Sequence, residues 1–176
     1  MNEIELKITK SMFMSVLKTS AIVDKTSSWF LGGVAATSAL LIANISAISI
    51  FISSNIIGLM IMLLIISIMF GFIQKYLATR INIHVSVTEA IEPIVEQNVS
   101  KGTEVDFLKI VGVIKKATPW YQKKEVEKSI VESAKDPLYG YKNASKMYNR
   151  QIFYTLLQVS IALLVLAIAA TNINKI

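Results

Sequence analysis

Residues 56–73 read IIGLMIMLLIISIMFGFI, eighteen consecutive positions without an ionisable side chain. A helix rises about 1.5 Å per residue, so roughly 20 apolar residues cross a hydrocarbon core of about 30 Å. With the weakly polar stretch to Ala78 the run is long enough. It shows no alternation of apolar and polar residues, which excludes a transmembrane β-strand. In lipid each backbone amide must be bonded within its own segment, and that leaves a helix.

Two further runs share this character, Trp29 to Ile52 upstream and Ile152 to Ile173 downstream, and none of the three holds a charge before Lys75. Of the 176 residues, 53% are apolar and only 17% charged. The mean hydropathy of +0.55 lies above the usual range of soluble domains. The expectation is an all-α membrane protein with three transmembrane helices. Residues 1–28 form an amphipathic interfacial helix, 29–78 a transmembrane hairpin, 79–143 a small helical cytoplasmic cap, and 144–176 the third transmembrane helix with a short external C-terminus. The first run starts behind a polar segment and lacks a small-residue cleavage site, so it reads as a retained span and not a signal peptide.

Orientation follows from the basic residues. Lys7, Lys10, Lys18 and Lys25 precede the first run, thirteen Lys and Arg lie between Lys75 and Arg150, and the link Ser53-Ser54-Asn55 has none. An excess of Lys and Arg marks the cytoplasmic side. Both polar segments are therefore expected inside, and the hairpin tip and C-terminus outside, in the cytoplasmic (inner) membrane of a bacterium. Trp29, Phe72, Tyr76, Tyr148, Phe153 and Tyr154 stand where interfacial aromatics belong.

On a helical wheel Glu3, Lys7, Lys10, Lys18, Asp24 and Lys25 share one arc, while Ile4, Ile8, Met12, Phe13, Val16, Ile22 and Val23 occupy the other. Only Glu5 is out of place. In the cap, Thr103 and Asp106 open a periodic run through Val105, Leu108 and Val111. Thr118-Pro119 starts a second helix, with Val126, Ile130 and Ala134 on one face, that stops before Asp136-Pro137. Gly140 and Asn143 read as a turn, and the third span as starting near Ala144. Residues 80–88 alternate like a strand; with nothing to pair against, a helix continuing from the second span is favoured.

The inventory for chemistry is poor. There is no cysteine, which excludes disulfides and thiolate sites, and one histidine, His84, which reads as a packed or surface residue. Glu89, Glu92 and Glu96 share a helical face but read as solvated, because a hard cation wants more oxygens than three glutamates supply. A glycine-rich phosphate loop is missing, since Gly32, Gly33 and Gly71 lie inside the apolar runs. No catalytic residue, cofactor, metal or small-molecule substrate is expected, and the protein is read as non-enzymatic.

Polar and small residues inside the runs say more. Ala35, Ala39, Ala43 and Ala47 recur every fourth position, a stripe that admits close helix approach, and Gly33, Thr37 and Asn44 form another about 90° away. Ser67, Gly71 and Gln74 line the second run. At about 1.5 Å per residue Gln158 and Ser67 reach similar depth, close enough to bond, whereas Asn44 meets Ile61 and Ala167 and is expected either to pair with another chain or to bond a backbone carbonyl or water. Gly33, Thr37, Asn44, Ala35, Ala39, Ala43, Ala47, Ser67, Gly71 and Gln158 are therefore the helix-packing or oligomer-interface candidates. Lys115, Lys116, Trp120, Tyr121, Lys123 and Lys124 suit anionic lipid headgroups, the alternative being Trp120 packed into the cap, and both rank ahead of nucleic acid.

These features suggest a multi-pass membrane protein that acts as a binding, regulatory or immunity-type factor. It would recognise another membrane protein, or itself, by helix–helix contact in the lipid bilayer. The alternative is a homo-oligomeric pore or membrane-disrupting effector lined by Thr37 and Asn44.

Overall fold

A computed structural model of the chain describes residues 2–100, 112, 113, 116, 120 and 123–172; side chains at 92–100, 125, 126 and 134 are not included. The described residues are helical throughout their regular structure, with no strand. In chain order the helices are α1 (Glu3–Lys18), α2 (Ser20–Ala43), α3 (Ile45–Ile48), α4 (Ser54–Ser100), α5 (Lys123–Lys135) and α6 (Tyr139–Asn172). Three stretches, Glu3–Ala43, Ser54–Ile91 and Tyr139–Asn172, are long and apolar enough to cross a membrane.

The first helix starts on a capping box. The Glu5 amide donates to Asn2 Oδ1 and the Asn2 amide to Glu5 Oε2, both at 2.8 Å. Two of the amides left over at a helix start are thereby satisfied. Glu5 leaves the polar arc of the wheel because its carboxylate serves the helix end.

Expected boundaries shift in two places, at the first apolar helix and at the start of α6, while residues 80–88 continue the second apolar helix as expected. The first apolar helix occupies 20–43 rather than 29–52. It ends at Asn44, whose φ of −112° and ψ of 20° leave the helical region and whose Nδ2 donates to the Leu40 carbonyl at 2.9 Å. That side chain offers its own helix an alternative bond, which is how asparagine interrupts helices. Residues 80–88 are helical within α4, with Ile81 and Val85 buried and Ile83 and Val87 exposed; a four-residue spacing, and not the two-residue one, decides burial. Gly140 and Asn143, read as a turn, lie inside α6, which begins at Tyr139. Asp136 explains the early start. Its Oδ1 accepts the Leu138 amide at 2.9 Å and its backbone carbonyl the Tyr139 amide at 2.9 Å. The expected end of the second cap helix before Asp136 agrees with α5; Thr103 to Val111 and Thr118-Pro119 lie outside the described residues.

The Asp136 carboxyl is held below the ordinary carboxylate range, first by its 2.6 Å bond from Lys142 Nζ and then by the Leu138 amide. A depressed folded-state pKa contributes stability above the unfolded value and loses it as pH falls through the folded one. A carbon-detected NMR titration should therefore place Asp136 below a model aspartate, and Lys142→Gln should move the midpoint up. An unchanged midpoint in the variant would remove Lys142 as the cause.

The chain divides into two compact units, Met1–Leu17 with Ile83–Lys146 and Lys18–Asn82 with Met147–Ile176. In the first, Tyr141 is the hub. Its ring lies 6.1 Å from Phe13 and meets His84 edge-on at 5.6 Å. A side chain in place of Gly140 would have its Cβ 3.2 Å from His84 Cε1, so the absent side chain leaves room for the histidine. Ile4, Ile8 and Met12 remain exposed on α1.

The second unit is a three-helix bundle. On α4 the buried positions are Ile57, Met60, Leu64, Ser67, Gly71, Gln74, Ala78 and Ile81, alternating steps of three and four. Tyr148, Gln151, Thr155, Gln158, Ala162 and Val165 repeat the steps on α6, and Ser20, Asp24, Ser27, Leu31, Val34, Ser38 and Leu41 on α2, all buried or half-buried. A repeat of 3.5 residues is that of knobs-into-holes packing, and being shorter than the helical 3.6 it imposes a left-handed supercoil. Val34, Met60, Leu64 and Val165 form the apolar core of this seam. Helices α1 and α2 are separated at Thr19.

Candidate functional site: a polar seam between three helices

In the second unit the heptad seam turns from apolar to polar along α2, α4 and α6. Ser20 Oγ donates to Gln151 Oε1 at 2.7 Å, and Gln151 Nε2 returns a bond to the Ser20 carbonyl at 3.0 Å. Seven residues on, the device recurs: Ser27 Oγ donates to Gln158 Oε1 at 2.6 Å and Gln158 Nε2 to the Ser27 carbonyl at 3.4 Å. Equal steps on two parallel helices keep both pairs in register. From α4, Ser67 Oγ donates to the Gln158 carbonyl at 3.0 Å. All five side chains are at most 1% exposed. Each glutamine uses its amide oxygen to accept from the serine hydroxyl and its amide nitrogen to donate to that serine's own carbonyl on the neighbouring helix.

Gly71 makes the contact possible. A Cβ there would sit 2.9 Å from Gln158 Nε2 and 3.0 Å from Leu31 Cδ1. Nearby, Lys75 Nζ donates to Ser28 Oγ at 2.7 Å and pairs with Asp24 at 3.4 Å. At the end of the seam Thr19 Oγ1 donates to Tyr148 Oη at 2.7 Å.

Gln74 differs from these. It is fully buried, and neither amide atom has a hydrogen-bond partner. The pairings of Ser67 with Gln158 and of Phe70 with Tyr154 put it level with Gln151. A buried amide without a bond costs on the order of 1–3 kcal/mol. Gln74→Leu, similar in volume, should therefore raise the thermal midpoint in detergent by a few degrees. A fall would show that Gln74 is bonded to a buried water.

Ser67, Gly71 and Gln158, expected at helix contacts, thus meet within the chain, with one refinement: Ser67 reaches the glutamine's backbone rather than its amide. Gly33 and Thr37 line an apolar trough, and the Thr37 hydroxyl is bonded to the Gly33 carbonyl at 2.9 Å. Ala35, Ala39, Ala43, Asn44 and Ala47 are exposed. Since Asn44 Nδ2 has the Leu40 carbonyl, the argument that it lacks a bond within its own chain does not hold. Ser20, Ser27 and Gln151 escaped the sequence reading; the shared seven-residue spacing of Ser20 with Ser27 and Gln151 with Gln158 was the available signal.

Among the described residues of the first unit, Lys116, Trp120, Lys123 and Lys124 are exposed, Trp120 at 84%, so its ring is not packed into a core. Lys115 and Tyr121 lie outside the described residues. His84 packs on Tyr141, with its Nε2 buried and without a hydrogen bond. The described residues contain no cluster of metal-ligating side chains; Glu89 is exposed, and the Glu92 and Glu96 side chains lie outside the description.

Fold and seam together define an all-helical protein with three helices long and apolar enough to cross a membrane, two of them joined to the third by buried serine–glutamine bonds. No protein-family model, no curated protein and no solved structure matches the chain.

Proposed function

We propose that the protein crosses a bacterial cytoplasmic membrane three times, with its N-terminus and residues 79–143 inside, and acts as a non-enzymatic binding, regulatory or immunity-type factor. The observation that carries this reading is the face of α2 made by Gly32, Ala35, Ala39 and Ala43, exposed along its whole length. At 100° per residue this face is centred about 115° around the helix from the seam positions Ser27, Leu31, Val34 and Ser38. Small residues let a second helix approach closely and gain dispersion contacts, the main source of helix association in lipid. A Cβ built at Gly32 meets nothing within 4 Å, so the face has room for a partner.

The basic residue distribution supports the orientation. Exposed Ile4, Ile8 and Met12 on α1 suit a helix at the membrane surface, and exposed Lys116, Trp120, Lys123 and Lys124 suit anionic headgroups. A lumen inside one chain has no support among the described residues, because Ser20, Ser27, Ser67, Gln151 and Gln158 are bonded to one another and they and Gln74 are fully buried.

The test is photocrosslinking in living cells with benzoylphenylalanine in place of Ala39, and in place of exposed Leu59 on α4 as the control. A discrete protein adduct at position 39 alone is the expected result. Absence of any adduct there, or rapid membrane depolarisation on expression, would displace this reading, the second in favour of a pore.

A further inference from the structure

An open trough of about 380 Å³ runs between α2 and α6 on a face of α2 different from the alanine stripe. Gly33, Val34 and Thr37 form one wall, Leu163 and Leu166 the other, and Trp29 stands at one end. Gly33 opens it, for a Cβ added there meets nothing within 4 Å. Its hydroxyl, on Thr37, is already donated to the Gly33 carbonyl. Water would find few bonds in this trough; hydrocarbon needs none.

The Trp29 end has a cation. Lys25 Nζ lies over the Trp29 ring, 5.7 Å from its centroid. The adjacent acid, Asp24, is paired with Lys75 on α4, so it is not Lys25 that neutralises it. From Lys25 to Thr37 is twelve residues, about 18 Å of helix, close to the depth of one leaflet of a core about 30 Å thick plus its interface. A fixed positive charge beside tryptophan, leading into an apolar trough one leaflet long, has the layout of a phospholipid with an anionic headgroup.

We propose that this trough holds an acyl chain of an anionic phospholipid whose phosphate rests on Lys25. The proposal rests on the reading of the chain as membrane-spanning. It differs from the headgroup patch at Lys116 to Lys124 in that it takes the chain as well as the charge.

The full-length protein with exposed Trp120 replaced (Trp120→Phe) keeps Trp29 as its sole tryptophan and tests this in vesicles. Bromine on the acyl chains quenches a tryptophan they touch. Trp29 should be quenched by brominated phosphatidylglycerol at about one-fifth the mole fraction required of brominated phosphatidylcholine, the preference one lysine near a charged surface confers. Lys25→Gln should abolish the preference while leaving quenching itself, and Ala162→Phe, which fills the trough, should weaken quenching by both lipids. Equal quenching by the two lipids, or a preference that survives Lys25→Gln, would overturn the proposal while leaving the membrane reading intact. Quenching that grows only as protein is diluted in lipid would overturn it by showing a second copy in the trough. If neither lipid quenches Trp29, the membrane reading fails and the proposal with it.

Discussion

Gly71→Leu should lower the thermal midpoint of the detergent-solubilised protein by about 4–8 °C, and Gly58→Leu should not. Both glycines lie on α4, so the change in helix propensity is the same and favours leucine by somewhat under 1 kcal/mol in each. Only the surroundings differ. At Gly58 an added Cβ meets nothing within 4 Å, whereas at Gly71 it is 2.9 Å from Gln158 Nε2, 3.0 Å from Leu31 Cδ1 and 3.3 Å from Gln158 Cδ. The leucine methyl could swing aside. The glutamine amide cannot do so without stretching its 2.6 Å bond from Ser27 and its 3.4 Å bond to the Ser27 carbonyl. Overpacking a core costs typically 1–3 kcal/mol, and here a broken interhelical bond adds to it. Circular dichroism at 222 nm during heating reads the difference directly. Equal midpoints for the two variants would mean that α2, α4 and α6 do not pack against one another at this layer.

The three apolar helices were legible in the sequence because length and hydropathy depend on residues adjacent in the chain. The pairing of Ser67 with Gln158 was legible because depth in a straight helix is a count of residues. What was not legible depended on phase. Ser20 and Ser27 look like interruptions in an amphipathic leader until Gln151 and Gln158 are seen at the same spacing on a parallel helix. Residues 20–28 then belong to the seam helix and not to a surface helix, and Asp24 belongs to Lys75 rather than to a polar arc. Asn44 was open for the opposite reason. Its bond is local, to a carbonyl four residues back, and depth along the span could not choose between that backbone bond and a partner on another chain. The boundary at Tyr139 was likewise set by a local bond at Asp136 that outweighed the turn propensity of Gly140 and Asn143. The exposed alanine face of α2 was visible as a pattern, and the structure adds that none of the described residues of the second unit buries it.

Gln158→Leu should destabilise the bundle by about 1–2 kcal/mol, and most of that loss should vanish when Ser27→Ala is added. Leucine nearly matches glutamine in size, so the single change leaves packing in place and removes the two bonds between the amide and residue 27. The Ser67 bond survives, because it goes to the backbone carbonyl of residue 158. What remains is a buried serine hydroxyl facing leucine. Two neighbours indicate its one escape: Thr26 and Ser28 donate to the carbonyls four residues behind them. If Ser27 turns back in the same way, the loss shrinks toward the roughly 0.6 kcal/mol average of interhelical bonds in lipid; if it cannot, the loss reaches the 1–3 kcal/mol of an unsatisfied buried group. A double-mutant cycle separates these cases, since Ser27→Ala in the leucine background removes the orphaned hydroxyl whatever its rotamer. A coupling of about 1 kcal/mol between residues 27 and 158 would establish that the polar seam holds α2 to α6. Strict additivity would mean that the seam selects the helices' register without contributing to their association, as a single buried asparagine does in coiled coils.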